Sequence, residues 1–313
     1  MMYDLAIIGG GPAGVAAGVY AARKRLKTIF IAETVGGQSV ESTEIQNWIG
    51  TEKISGTELA KSLERHLRAY AEDVVDIKLG KRVTRLDKDA EGFTLVAGEG
   101  TYQARAVLIA SGGRRLKLAV PGGLDFENKG LTYCASCDGA LFAGQDVVVV
   151  GGGNAGFESA AQLLAYCKSV TLIHRGADFT KADASTVEAV SKHPNMHLLK
   201  NSEPIEVKGE TFVSGIVVKD LTSGETTTLP VTGVFVEIGT IPNTDYMDGL
   251  VELSGDKHVP VNHANQRVTS GGVEVSGLWA AGDVTTGRFH QNNIAAGDAV
   301  KALEDIYYYV KAH

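Results

Sequence analysis

The alternation of apolar and small residues along this chain produces one design twice. Asp4-Leu-Ala-Ile-Ile runs into Gly9-Gly-Gly11-Pro-Ala-Gly14, continues through an alanine-rich stretch to Ala22, and meets Lys27-Thr-Ile-Phe-Ile-Ala-Glu33. Asp146-Val-Val-Val-Val runs into Gly151-Gly-Gly153-Asn-Ala-Gly156, continues from Phe157 to Cys167, and meets Ser169-Val-Thr-Leu-Ile-His174. Short unbroken apolar runs bounded by glycine turns are strands buried on both faces, and the stretches between them have helical length. Each copy predicts a βαβ unit with a parallel sheet, and two copies predict two dinucleotide sites. Between them, Ser55-Gly-Thr-Glu58 has the form of a capping box. It opens a helix with Leu59, Leu63, Leu67 and Tyr70 on one face. Val83-Thr-Arg-Leu, Phe93-Thr-Leu-Val and Val107-Leu-Ile-Ala predict strands, and the Gly/Pro-rich segments 111–123 and 239–243 are the expected domain crossings.

Composition narrows the class. A length of 313 residues suits two domains, and 44% hydrophobic with 21% charged residues is the profile of a soluble globular protein. A net charge of −7 excludes nucleic acid and anionic membrane as the main partner. Leu5 to Ala22 carries no charge, but five glycines and Pro12 interrupt it, so it reads as a nucleotide loop rather than a membrane span. The leading Met1-Met2-Tyr3-Asp4 is acidic where a signal peptide is basic, which predicts a cytoplasmic protein.

In the first loop, Gly9 permits the tight turn out of the strand. Gly11 lets the backbone approach a pyrophosphate, and Gly14 lets helix and strand pack closely. Phosphates then lie over the free N–H groups at the helix start, beside Pro12 and Ala13. Glu33, nineteen residues after Gly14, ends the second strand, where a carboxylate accepts ribose hydroxyls. The second loop, Gly151, Gly153, Asn154, Ala155 and Gly156, is followed eighteen residues later by His174 and then Arg175, with no acid. A basic pair there suits a 2′-phosphate and so NADP over NAD. The competing reading is a strand-ending histidine and a solvated surface arginine.

The third signal is Tyr133-Cys134-Ala-Ser-Cys137-Asp138-Gly139. Two cysteines at this spacing close a small disulfide ring, and the motif lowers one thiol's pKa from about 8.5 toward about 7. Asp138 stands next to the second thiol as a proton donor or acceptor. Zinc would require two more ligands; Cys167, His193 and His197 form no such set, so no metal is expected. With only three cysteines, a secreted disulfide framework is excluded.

These motifs, with Gly36-Gly37-Gln38, Asn47-Trp48-Ile-Gly50, Ala110-Ser-Gly112 and Ala281-Gly282-Asp283, resemble the low-molecular-weight thioredoxin reductases. They also resemble the closely related flavoprotein component of alkyl hydroperoxide reductase, and the resemblance runs over essentially the whole chain. It implies an α/β fold of two Rossmann-like dinucleotide-binding domains. The FAD domain would be discontinuous, residues 1–113 and 242–313, with an NAD(P)-type domain carrying the cysteines inserted at 114–241. It adds Gly37, Gln38, Asn47, Ala110, Gly282, Asp283, His290 and Gln291 to the FAD contacts. It assigns Cys137 to the flavin side, Cys134 to exchange with the protein substrate, and Asp138 to acid/base work. It further implies a homodimer whose domains rotate between the two half-reactions.

Two departures bear on the donor. The family's His-Arg-Arg-x-x-x-Arg becomes His174-Arg175-Gly176-Ala-Asp-Phe-Thr180-Lys181, with one arginine lost and Lys181 in place of the last. The Lys181-Ala-Asp183 ending is closer to the peroxide-reductase flavoprotein, which uses NADH. The expectation is electron flow from NADPH through FAD and Cys134–Cys137 to a thioredoxin-like protein. The alternatives are NADH or ferredoxin as donor and a glutaredoxin-like or peroxiredoxin partner. A non-catalytic nucleotide-sensing scaffold has no need for a dithiol.

Overall fold

The structure, a computed structural model, describes residues 2–42 and 44–312; Met1, Thr43 and His313 lie outside them. The chain forms two compact units. The first comprises Met1–Thr43, Trp48–Arg114 and Ile241–His313, and the second Glu44–Asn47 with Arg115–Thr240.

The first unit opens with β1 (Met2–Ile8), α1 (Pro12–Arg23) and β2 (Thr28–Ala32), the βαβ arrangement expected of the first apolar pattern. Next come α2 (Gly56–Ala71), β3 (Val75–Leu79), β4 (Val83–Lys88), β5 (Phe93–Ala97) and β6 (Gly100–Ile109). Ser55 Oγ accepts the Glu58 N–H at 3.2 Å while Glu58 Oε2 accepts the Ser55 N–H at 3.4 Å, so the capping box starts α2 where the sequence requires it. Leu59 and Leu67 are buried and Leu63 is partly so, but Tyr70 is exposed. Its ring instead lies under the Arg23 guanidinium, 5.4 Å from the centroid, while Ala71 carries the buried face to the end of α2.

The chain then enters the second unit along β7 (Gly113–Arg115), followed by β8 (Leu131–Thr132), α3 (Ala135–Asp138), β9 (Asp146–Val150), α4 (Asn154–Leu163) and β10 (Ser169–Ile173). It continues through α5 (Ala184–Ser191), β11 (Met196–Leu199), β12 (Ser202–Gly209), β13 (Val213–Asp220), β14 (Thr226–Leu229) and β15 (Gly233–Val236). The five-stranded sheet has the order β11-β10-β9-β15-β8 and is parallel throughout; β12-β13-β14 form a separate antiparallel sheet. The helix expected to reach Cys167 ends four residues earlier. There the Lys168 N–H donates to Gln145 O and turns the chain into β10, leaving Cys167 as a buried thiol beyond the helix, its pKa pushed up to about 11 by burial.

The return to the first unit runs through β16 (Thr240–Pro242), β17 (Val261–Asn262), β18 (Arg267–Ser270), β19 (Val273–Ala280) and α6 (Asn292–Ala312). Its main sheet has the order β17-β18-β19-β6-β1-β2-β3, parallel from β19 to β3, with β4 and β5 as a hairpin on β6. One face is covered by α1, α2 and α6, whose Val15, Val19, Leu67, Leu303 and Ile306 share one apolar cluster with Leu5, Phe30 and Trp279. Among the described residues no helix is long and apolar enough to cross a membrane.

Candidate functional site

The strand registers superimpose the two βαβ units residue by residue. In the first, Ile8 pairs with Ile31 and Ile109; in the second, Val150 pairs with Ile173 and Val236. Gly9 and Gly151 follow the central strand, each with positive φ. A Cβ on Gly14 would lie 1.9 Å from Gly9 O, and one on Gly156 would lie 1.9 Å from Gly151 O. Only glycine permits either contact, so both loops are held in one shape by the same collision.

In the first unit the loop opens onto a cavity of about 400 Å³. Of the residues expected to hold FAD, Gly9, Gly11, Pro12, Ala13, Glu33, Gly37, Gln38, Ala110, Gly282 and Asp283 line it. Gly14 supports the loop from behind. A Cβ on Gly11 would meet only Gly37 Cα, at 3.9 Å, and would otherwise point into open space at the N-terminus of α1. His290 and Gln291 stand just before Asn292, which lines the cavity and accepts the Ser39 hydroxyl at 2.9 Å. The buried His290 Nε2 has no hydrogen-bond partner among the described residues. Asn47 does not line the cavity; the segment Glu44–Asn47 groups with the second unit.

Several lining residues had no signal in the glycine pattern. Lys81 and Arg82 follow β3, and Arg82 bridges Glu33 at 3.8 Å and Asp245 at 2.9 Å, placing a cation beside Glu33 at the cavity wall. Next along the chain from Asp245, Tyr246 OH donates to Ser111 Oγ at 3.1 Å, and Ser111 Oγ donates to Asn243 O at 2.8 Å. Burial pushes the Tyr246 phenol well above its usual range, so it stays a donor.

In the second unit Cys134 and Cys137 form a disulfide at the start of α3, with Cα atoms 5.3 Å apart. The Cys137 N–H points back to Cys134 Sγ at 3.2 Å. Thr132, at the end of β8, donates its hydroxyl to Asp138 and accepts the Cys134 N–H at 3.4 Å, tying the acid to the backbone of the first cysteine. Burial raises the Asp138 pKa above the ordinary carboxylate value; the Thr132 bond and the Arg115 charge pull it partly back. Among the described residues no cluster of three or more His, Cys, Asp or Glu could hold a metal.

The second glycine loop brings Gly151, Gly153, Asn154, Ala155 and Gly156 to the start of α4. Asn154 Oδ1 accepts the Asp183 N–H at 2.7 Å, drawing the turn that carries Lys181 toward the loop. His174 is half-buried and packs against the loop. Its ring underlies Gly152 and Gly176, stacks 5.0 Å from Phe179, and its Nε2 lies 3.1 Å from Asp178 O. Registers match His174 with Ala32, and the exposed Arg175 with Glu33. The basic residue standing where the first site has its acid is therefore Arg175, nineteen residues from Gly156 as Glu33 is from Gly14.

A family model described as pyridine nucleotide-disulphide oxidoreductase matches residues 3–299. The chain is 36% identical over 309 residues to a protein of Bacillus subtilis (strain 168) named NADH dehydrogenase, covering 98% of this chain and 58% of that relative. It is 37% identical over 303 residues to the F subunit of alkyl hydroperoxide reductase from Pseudomonas aeruginosa, covering 96% of this chain and 57% of the relative. The chain thus spans somewhat under three fifths of these relatives' length. Among solved structures, thioredoxin reductase from Streptococcus pyogenes MGAS5005 matches with TM-score 0.87 and 30% identity, over 100% of this chain and 99% of that one. Thioredoxin reductase from Giardia duodenalis matches with TM-score 0.90 and 29% identity, over 99% of each chain.

Proposed function

The chain belongs to the pyridine nucleotide-disulphide oxidoreductases, and we propose that within this family it carries electrons from NADPH, through FAD, to its own Cys134–Cys137 disulfide and on to a thioredoxin-like protein. The observation that carries the reading is the pairing of two glycine-loop dinucleotide units with a formed Cys-x-x-Cys disulfide in the second. A nucleotide sensor has no use for that disulfide.

The first cavity fits FAD. An open cradle lies over Gly11 at a helix N-terminus, and Glu33 stands where a ribose is gripped. When bound there, FAD supplies the two-electron relay between nicotinamide hydride and disulfide. The chain's own groups do the rest. The N–H groups at the start of α1 hold pyrophosphate, and Arg82 braces Glu33 at the adenosine end.

At the dithiol, two electrons and two protons open the S–S bond to two thiols. Cys134, as thiolate, then attacks the partner's disulfide; one partner sulfur leaves and takes a proton. Cys137 attacks the mixed disulfide and releases the partner as a dithiol, regenerating Cys134–Cys137. Asp138, whose pKa burial raises above the ordinary carboxylate value, gives the proton to the departing thiolate.

The donor is NADPH because Arg175 replaces the ribose acid of the first site and offers a charge-assisted bond to a 2′-phosphate. A second reading concerns the acceptor: relatives named as the F subunit of alkyl hydroperoxide reductase are 34–37% identical to this chain, while thioredoxin reductase structures reach 34%. On that reading the dithiol serves a peroxide-reducing partner. We take the protein as a cytoplasmic homodimer, which sedimentation of the holoprotein tests.

The experiment is an anaerobic titration of the yellow holoprotein with NADPH, NADH and reduced ferredoxin, followed by addition of oxidised thioredoxin. NADPH should bleach the flavin and thioredoxin should restore the colour. A flavin reduced by ferredoxin alone would sink the donor assignment. A reduced enzyme that thioredoxin cannot reoxidise would sink the acceptor.

A further inference from the structure

The registers that match Gly9 with Gly151 also match Ala110 with Glu237, the residues that follow β6 and β15 beside the central strand. Each places its own backbone carbonyl over the loop: a Cβ on Gly9 would lie 2.2 Å from Ala110 O, and one on Gly151 would lie 2.1 Å from Glu237 O. In the first unit this position, an alanine, lines the cavity. The second unit has a carboxyl there, with only 10% of its side chain exposed.

A second substitution accompanies the first. Counting from Gly14 and Gly156, the helix residue Ala17 corresponds to Ser159, and Ser159 Oγ donates to Glu237 Oε1 at 2.7 Å. Arg115 Nη1 lies 3.6 Å from Glu237 Oε2. A buried carboxyl is costly unless it is bonded, and here one helix residue and one arginine are committed to holding it. The glycine loop alone does not need this arrangement, since the first unit builds the same loop with two alanines.

Dinucleotides lie across the carboxyl ends of the strands at the point where the strand order reverses. In β11-β10-β9-β15-β8 that point lies between β9 and β15. Arg175 marks the adenosine side, at the end of β10, so the residue after β15 stands on the nicotinamide side. Resting on the NAD(P) reading of this unit, we propose that Glu237 faces the nicotinamide half of the bound nucleotide and selects for its oxidised, cationic ring over the neutral reduced one. Favouring the oxidised form draws the hydride away from the nucleotide. Ser159 and Arg115 are positioning residues that fix the carboxyl.

The charges around Glu237 determine the sign of its pH response. Burial raises its pKa most; Arg115 and the Ser159 bond lower it, and Glu158 on α4 raises it again. The selectivity therefore strengthens as pH rises and Glu237 loses its proton.

The test is binding of NADP⁺, NAD⁺ and the neutral tetrahydro analogue of NADPH, which cannot give up a hydride, to the oxidised holoprotein by calorimetry. In Glu237→Gln the oxidised nucleotides should bind about tenfold more weakly while the tetrahydro analogue changes by less than about twofold. The rise of NADP⁺ affinity with pH should vanish. Ser159→Ala, which keeps the carboxyl but loosens it, should show the same selective loss in smaller measure. Equal weakening of all three ligands, or no change in any, overturns the proposal while leaving the donor reading intact. A wild-type protein that binds none of them overturns both.

Discussion

Replacing Asp138 by Asn tests the acid/base role most directly, because the change removes a proton and little else. The side chain keeps its size, and its amide can still bond the Thr132 hydroxyl, so α3 and the disulfide keep their support. What is lost is the capacity to deliver a proton to a leaving thiolate, which for a positioned acid is worth roughly 10²- to 10⁴-fold in rate, or about 3–5 kcal/mol of barrier. That loss should fall entirely on the dithiol half-reaction. In stopped-flow measurements NADPH should bleach the flavin at the wild-type rate, while reoxidation by thioredoxin slows by the full factor. The pH profile carries a second signature. With its pKa raised by burial, Asp138 remains protonated to higher pH than an ordinary aspartate, and exchange should decline as pH rises through that value. Thr132→Val removes a bond that favours the ionised form, so it should move the decline to higher pH; Asp138→Asn should abolish it. An Asn variant that turns over within about threefold of wild type would refute the assignment, since no general acid worth the name contributes so little.

Cys134→Ser and Cys137→Ser should each abolish disulfide reductase turnover while leaving flavin reduction by NADPH intact, as half-reaction kinetics will show. Gly14→Val places a side chain on Gly9 O and should yield a protein purified without flavin colour. Ser55→Ala removes the cap of α2 and should cost about 1 kcal/mol, read as a lower denaturation midpoint with unchanged activity. Arg175→Ala should raise the Michaelis constant for NADPH by about ten- to a hundredfold, the worth of a charge-assisted bond, and leave that for NADH nearly unchanged.

The apolar runs and glycine loops were legible because each encodes a local necessity: a strand buried on both faces, a turn only glycine can make, a helix start over a phosphate. The capping box was legible for the same reason. Residues that reach a site from distant parts of the chain carry no such mark. Arg82 and Tyr246 line the first cavity, yet nothing local to either distinguishes it from any surface arginine or buried tyrosine. The grouping of Glu44–Asn47 with the second unit is likewise a tertiary fact. His174 shows the limit of counting alone. The sequence offers His174 and Arg175 as an undivided basic pair; the pairing of Val150 with Ile173 sets the His174 ring beneath the loop and leaves Arg175 in the exposed position that matches Glu33.

The repeated unit also explains how one chain keeps two dinucleotide sites distinct. Both are fixed by the same glycine collisions, so the loops cannot differ much in shape, and discrimination has to come from side chains at matched positions. At the end of the second strand the first site has Glu33 and the second Arg175, opposite charges that on the proposed reading suit a ribose with free hydroxyls and one bearing phosphate. After the strand on the other side the first has Ala110 and the second Glu237, and behind these stand Ala17 and Ser159. An apolar wall suits a cofactor that stays bound through the catalytic cycle. A buried, bonded carboxyl suits a ligand whose ring gains positive charge on reaction, because the site then favours the product form and draws the hydride out of the reduced one.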